Sequence, residues 1–291
     1  MRTEREMLEL IVGKAQADER IRAVIMNGSR VNPNVPADLL RDYDIVYIVR
    51  AMDSLTQDRS WLEVFGKRII MQTPDEGALF KSNRPAFAFL MLFHDGNRLD
   101  LTLFPEERLA EWQADSLSVL LLDKDGLFAA LPAPSASDYV TKPPSEGEFA
   151  DCCNEFWWVC TYTAKALWRE ELAYAKFICD VPVRRMLTLM LQWQIGASSS
   201  FSLNPGKEGR FFRNLLPPAQ WKLLLSTYTD AQPDHMWQAL LTMGELFRDA
   251  AREVAAYIGC NYDQGQDVRV TDYLLRIRTL PKEAQRIYDW D

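Results

Sequence analysis

Met26-Asn27-Gly28-Ser29-Arg30 and, beyond a gap punctuated by Pro33 and Pro36, Arg41-Asp42-Tyr43-Asp44-Ile45-Val46 are the two stretches that decide the fold. Residues 21–26 predict a short strand that stops at Asn27-Gly28-Ser29. Residues 42–50, rich in Tyr, Ile and Val, predict a second. Side chains alternate along a strand, so Asp42 and Asp44 share one face, about 7 Å apart. Gly28 lets the backbone turn sharply and approach a ligand closely. Ser29 offers a hydroxyl and an N–H to a phosphate, and a helical turn starting there adds further free N–H groups.

A third carboxylate follows in Arg98-Leu99-Asp100-Leu101, another strand-like run. If that strand lies beside the second, Asp42, Asp44 and Asp100 cluster. Three close carboxylates repel one another and are costly to bury without a counter-charge. A divalent cation resolves the conflict, and oxygen-only ligands point to Mg²⁺. A cation site beside a phosphate cradle is the apparatus of phosphoryl or nucleotidyl transfer. The plain alternatives are an acidic strand edge or a structural cation site. Arg30 and Arg41 serve equally well as phosphate partners or as salt-bridge residues.

Around this centre the first half reads as sheet with helices. An amphipathic helix over 4–18 carries Met7, Leu8, Ile11 and Ala15 on one side. A helix is expected over 60–65, strands over 68–72, 86–93 and 98–104, a turn at 94–97 making the last two a hairpin, and a helix over 105–114. Residues 123–147, with a Gly turn and four prolines, form a boundary zone. Beyond it, helical spacing runs over 146–178, 183–195, 221–228, 235–258 and 268–279. The expected class is α+β: a mixed β-sheet domain over 1–135, then a helical bundle over 136–291.

Composition bounds the function. The 291 residues are 48% hydrophobic and 25% charged, as in folded domains. A net charge of −8 argues against a nucleic-acid or anionic-membrane binder and suits a small cationic ligand. Five Cys form no CxxC pair, and with two His a structural zinc site is not expected. With neither a signal segment nor a spanning run, a cytoplasmic chain is expected.

The Gly-Ser and Asp-x-Asp stretches resemble the nucleotidyltransferase superfamily, and more narrowly the aminoglycoside 6-adenylyltransferases, also called streptomycin adenylyltransferases. The likeness extends through Trp61-Leu62-Glu63-Val64-Phe65-Gly66, Asp95-Gly96-Asn97-Arg98-Leu99-Asp100-Leu101, Phe156-Trp157-Trp158-Val159, the stretch from Tyr162 to Leu172, and Gly206-Lys207. The Phe-Trp-Trp to Glu-Leu region is the most specific. The resemblance implies a nucleotidyltransferase sheet followed by a helical domain, moving AMP from Mg-ATP to a hydroxyl of streptomycin. Carried over, Ser29 contacts phosphate, Asp42 and Asp44 hold metal, and Asp100 is the third carboxylate, a metal ligand or the group that activates the hydroxyl. Other acceptors, a protein hydroxyl included, and a nucleotide-binding module without turnover are the competing expectations. A monomer is favoured.

The acceptor side is also argued locally. On the long helix Asp151, Glu155, Trp158, Tyr162, Lys165 and Arg169 fall on one stripe. Glu155 and Lys165 are separated by roughly 15 Å of helical rise. One helix can therefore offer carboxylates and a ring to a cationic sugar, and Lys165 to nucleotide phosphates; an ordinary polar stripe is the alternative. Of Trp157 and Trp158, at least one is expected to line a cleft. Lys207, in a Gly-rich loop, is expected on phosphate or in solvent.

Overall fold

The computed structural model describes residues 1–79 and 84–288 and divides into two compact units, Met1–Asp138 and Tyr139–Asp291. The division falls inside the Pro- and Ser-rich stretch.

In the first unit, α1 (Glu4–Ala17) starts at a capping box in which Thr3 and Glu6 satisfy each other's backbone N–H groups. Its buried residues, Met7, Ile11 and Ala15, recur every four positions and cover one face of a sheet. The sheet comprises β1 (Ile21–Asn27), β2 (Tyr43–Val49), β3 (Arg68–Gln72), β4 (Phe87–Phe93), β5 (Arg98–Pro105) and β6 (Ser118–Asp123). A short helix, α2 (Met52–Gln57), follows β2. The strand order is β3-β4-β5-β2-β1-β6, antiparallel throughout except for β2 and β5. Tyr43, Ile45, Tyr47 and Val49 face α1, and the Tyr47 hydroxyl donates to the Ile11 carbonyl at 2.6 Å. Val46 and Ile48 face the other way and pack with Ala23, Ile25 and Phe104, lined by Trp112, Leu127 and Phe128. Both faces are covered, so β1 and β2 read as near-continuous apolar runs.

Two expectations for this unit change. The helix over 60–65 is a 3₁₀ segment, Ser60–Phe65. The helix over 105–114 is a shorter 3₁₀ segment, Glu106–Glu111, because Pro105 still pairs with Val49 at the end of β5. Strand β6, a short apolar run for which the sequence analysis gives no element, forms an edge against β1.

The second unit is helical: α3 (Glu146–Trp168), α4 (Leu172–Ile178), α5 (Arg184–Ser198), α6 (Phe212–Leu215), α7 (Pro218–Ser226), α8 (Pro233–Ile258) and α9 (Gln264–Thr279). Its core stacks Phe156 on Phe247 at 3.8 Å, with Trp157 edge-on to both. The single helix expected over 146–178 is two. Glu170 adopts a left-handed conformation after α3, while the Trp168 indole donates to Leu280 and its carbonyl accepts from Lys282, pinning that end. A π turn, Cys179–Val183, joins α4 to α5 around Pro182, which has no N–H to continue the α-helical ladder.

Candidate active site

Parallel pairing of β2 with β5 places Asp44 directly beside Asp100. Leu99, Leu101 and Leu103 point to the α1 face, so by alternation Arg98 and Asp100 share the opposite face with Asp44. Asp42 lies one residue before β2 begins, not within it as expected. Arg98 donates to both Asp100 oxygens, at 2.8 and 2.7 Å, and its Nε lies 3.6 Å from Asp42. The Asp44 carboxyl is pushed up to about 6 by burial, then by the neighbouring charges of Asp100 and Asp42.

Asp44 and Asp100 share one face and Asp42 lies close by, but the three do not close on a common point. Among the described residues no three His, Cys, Asp or Glu side chains are gathered as a metal cluster. Arg98 bridges two of the three instead. The donor set nevertheless suits a hard cation: oxygen-only, already neutralised in part by one cation, and with Asp44 strained by its like-charged neighbours.

Gly28 is required here. Its φ is +78°, and a Cβ would lie 2.2 Å from an Asp44 oxygen, so no other residue lets the turn pass this close to the carboxylate. The turn Gly28–Arg30 is 3₁₀, and the Gly28 N–H is taken by the Leu117 carbonyl at 3.1 Å. The Ser29 carbonyl accepts from Asn32 and Arg41. Of the two roles open to Arg30, the structure displays the structural one. Its guanidinium stacks 3.6 Å over Tyr43, donates to the Asp42 and Arg41 carbonyls and pairs with Glu4. That anchors the segment carrying Asp42 rather than presenting Arg30 to a ligand. Arg41 is largely buried, and its Nε meets no partner among the described residues.

In the second unit, a cleft of about 880 Å³ is lined by Glu148, Asp151 and Glu155 of α3, Met186, Leu189 and Trp193 of α5, and Lys142 and Lys207. That volume accommodates a drug-sized ligand. Glu148, Asp151 and Glu155 sit on successive turns of one helical face. Asp151 and Glu155 are thus brought together with Lys207. The rings lining the cleft are Tyr139 and Trp193, which sequence reasoning missed: the α5 position of Trp193 reads as plain core, and only tertiary packing brings it to the cleft.

Neither tryptophan of the Phe-Trp-Trp stretch lines this cleft. Trp157 is 1% exposed, packs in the core and donates its indole N–H to the Tyr262 hydroxyl, so its assignment to acceptor contact is corrected. Helical spacing carried that signal, since Trp157 falls four residues after Cys153 and three before Cys160. Trp158 is 57% exposed and donates to the Tyr162 hydroxyl, forming an aromatic pair farther along the stripe. Lys165 lies 4.6 Å over the Tyr162 ring and lines a separate pocket with Trp168, Arg169 and Tyr273.

Residues 1–277 match the family described as "Streptomycin adenylyltransferase". An aminoglycoside 6-adenylyltransferase of Campylobacter jejuni is 39% identical over 277 residues, spanning 95% of this chain and 96% of that protein. One of Bacillus subtilis (strain 168) is 40% identical over 271 residues, spanning 91% and 95%. The crystal structure of an aminoglycoside 6-adenyltransferase from Bacillus subtilis covers 96% of this chain and 100% of its own, at 35% identity and a TM-score of 0.48. Among the described residues no helix is long and apolar enough to cross a membrane.

Proposed function

The chain belongs to the streptomycin adenylyltransferase family, the aminoglycoside 6-adenylyltransferases of the nucleotidyltransferase superfamily, and from that premise we propose that its acceptor is streptomycin and that Asp42, Asp44 and Asp100 carry the transfer. It is an ATP-dependent nucleotidyltransferase that moves AMP from ATP to an aminoglycoside hydroxyl. The observation that carries the site assignment is the register of Asp44 beside Asp100, with Gly28 packed against Asp44.

Asp42, Asp44 and Asp100 would hold Mg²⁺, which when bound supplies charge neutralisation for the triphosphate and a lowered pKa for the attacking hydroxyl. The Ser29 hydroxyl bonds a phosphate oxygen, and Gly28 keeps the chain low enough for it to do so. Arg41 brings a buried guanidinium with one unsatisfied N–H to the same turn. Asp100 is the candidate to take the proton of the acceptor hydroxyl as it attacks the α-phosphorus in line and pyrophosphate leaves. No covalent enzyme intermediate is needed.

The cleft of the helical unit is assigned to the acceptor. Streptomycin carries guanidinium groups, whose forks match carboxylates bidentately and stack on ring faces. Asp151 and Glu155 supply the carboxylates, and Tyr139 and Trp193 the rings. Lys207, and Lys165 with its neighbour Arg169, are the candidates to meet phosphate. Trp158 and Tyr162 extend the acceptor surface along α3. The acceptor assignment is tested by pyrophosphate release across a panel of aminoglycosides. Release with streptomycin and little with analogues lacking guanidinium groups is expected. Equal turnover of both would remove the proposed pairing with Asp151 and Glu155.

A further inference from the structure

Arg98 is the half-exposed arginine of the first unit whose ion pairs fall on the carboxylates assigned to the metal. Arg22 is locked: its side chain is 10% exposed and it bonds Asp125 and Glu19 together. Arg98 has the same bidentate grip, on Asp100, but its side chain is 45% exposed. It also reaches toward Asp42, and it lies close enough to Asp44 to act on that carboxyl's charge. One guanidinium therefore grips one of the carboxylates assigned to the metal and lies 3.6 Å from a second, on the strand that pairs beside Asp44. Arg98 and Asp100 are two residues apart on β5, so the pair needs no other element to bring it together.

We infer that Arg98 is a built-in counter-cation, which occupies the carboxylate cluster when no divalent ion is bound and must leave Asp100 for the ion to enter. This rests on the assignment of Asp42, Asp44 and Asp100 as metal ligands. Without Arg98 the metal-free cluster would carry stronger repulsion; with it, that repulsion is offset in part and a divalent ion must compete. Arg98 thereby lowers the affinity of the nucleotide-free protein for metal. An ion that brings further ligands, such as one already bound to a triphosphate, competes better than a bare ion. The exposure of the side chain leaves the guanidinium room to swing into solvent, which the more enclosed Arg22, paired with Asp125, lacks.

The test is Mn²⁺ binding to the intact, nucleotide-free chain, with free Mn²⁺ read by electron paramagnetic resonance. Arg98→Gln is expected to tighten Mn²⁺ at least about fivefold, the scale of removing one neighbouring charge at a partly solvated site. Arg98→Lys, which keeps the charge, is expected to stay within about twofold of wild type. Asp44→Asn, the control for the site itself, is expected to abolish binding. If Arg98→Gln binds Mn²⁺ equally or more weakly while Asp44→Asn still abolishes binding, the metal site stands and the counter-cation inference is overturned. If Arg98→Gln and wild type bind alike, or not at all, and Asp44→Asn changes nothing, both fail. Retention of the wild-type thermal transition by Arg98→Gln excludes a change that merely reports unfolding.

Discussion

Asp44→Asn should make the metal-free protein more stable while ending its activity. Asp44 sits on a packed sheet face beside Asp100, and its carboxyl is pushed up to about 6, first by burial and then by Asp100 and Asp42. Against an ordinary Asp value of 3.8, that is a rise of roughly 2.2, or about 3 kcal/mol. Part of the group still meets solvent, which reduces the cost to about 1–3 kcal/mol. Because the folded-state value is raised, the associated stability is fully present below pH 3.8 and is lost as pH rises through about 6. Asparagine has no charge to desolvate, so its advantage should be near zero at the acid end, about half-developed at pH 5 and complete above pH 7. At pH 7.5 in EDTA the expected gain in melting temperature is roughly 2–12 °C, at about 2–4 °C per kcal/mol. Scanning calorimetry of both proteins between pH 5 and 8 reads this directly. Adding Mg²⁺ should stabilise wild type alone and close the gap, since a ligand bound only by the native state raises its stability. An equal gap at pH 5 and 7.5, or a less stable variant at pH 7.5, would refute the account of Asp44 as a carboxylate held at a cost for function.

Other substitutions separate the roles assigned above. Gly28→Ala should destabilise by about 1–3 kcal/mol in urea unfolding and eliminate turnover, because the new methyl meets Asp44 and the left-handed backbone is strained. Trp157→Ala should cost about 3–5 kcal/mol as a core deletion, whereas Trp158→Ala should stay within about 0.5 kcal/mol by the same assay. Glu155→Gln should raise the KM for streptomycin several-fold and leave that for ATP unchanged in steady-state kinetics; an equal rise in both would remove Glu155 from acceptor binding.

Much of the site could be read before the fold was known, for identifiable reasons. Asp42-Tyr43-Asp44 leads into a run of β-branched and aromatic residues that has no competing helical pattern, and Gly28-Ser29 ends a clear apolar strand. The alignment of Asp44 with Asp100 needs a parallel pairing between strands separated by two others in sequence, which local patterning does not encode. The bridging role of Arg98 needs that same register. Strand β6 was illegible because Ser118-Val119-Leu120-Leu121-Leu122 is a short apolar run without alternation. On α3 the polar stripe was legible from 3.6-residue spacing. The same spacing puts Trp157 in the apolar arc and leaves Trp158 outside it. Trp193 joins Asp151 and Glu155 through packing of α5 against α3, which sequence spacing does not reveal.

The central claim, that these carboxylates transfer AMP to streptomycin, is tested most directly in one tube. Pyrophosphate released from Mg-ATP is followed with and without streptomycin, and the mass of the drug is read at the end. The account predicts streptomycin-dependent release, a product heavier by one adenylyl group, and neither signal with Asp44→Asn. Adenylylated streptomycin formed at the wild-type rate by Asp44→Asn, or pyrophosphate release that ignores the drug, would contradict it.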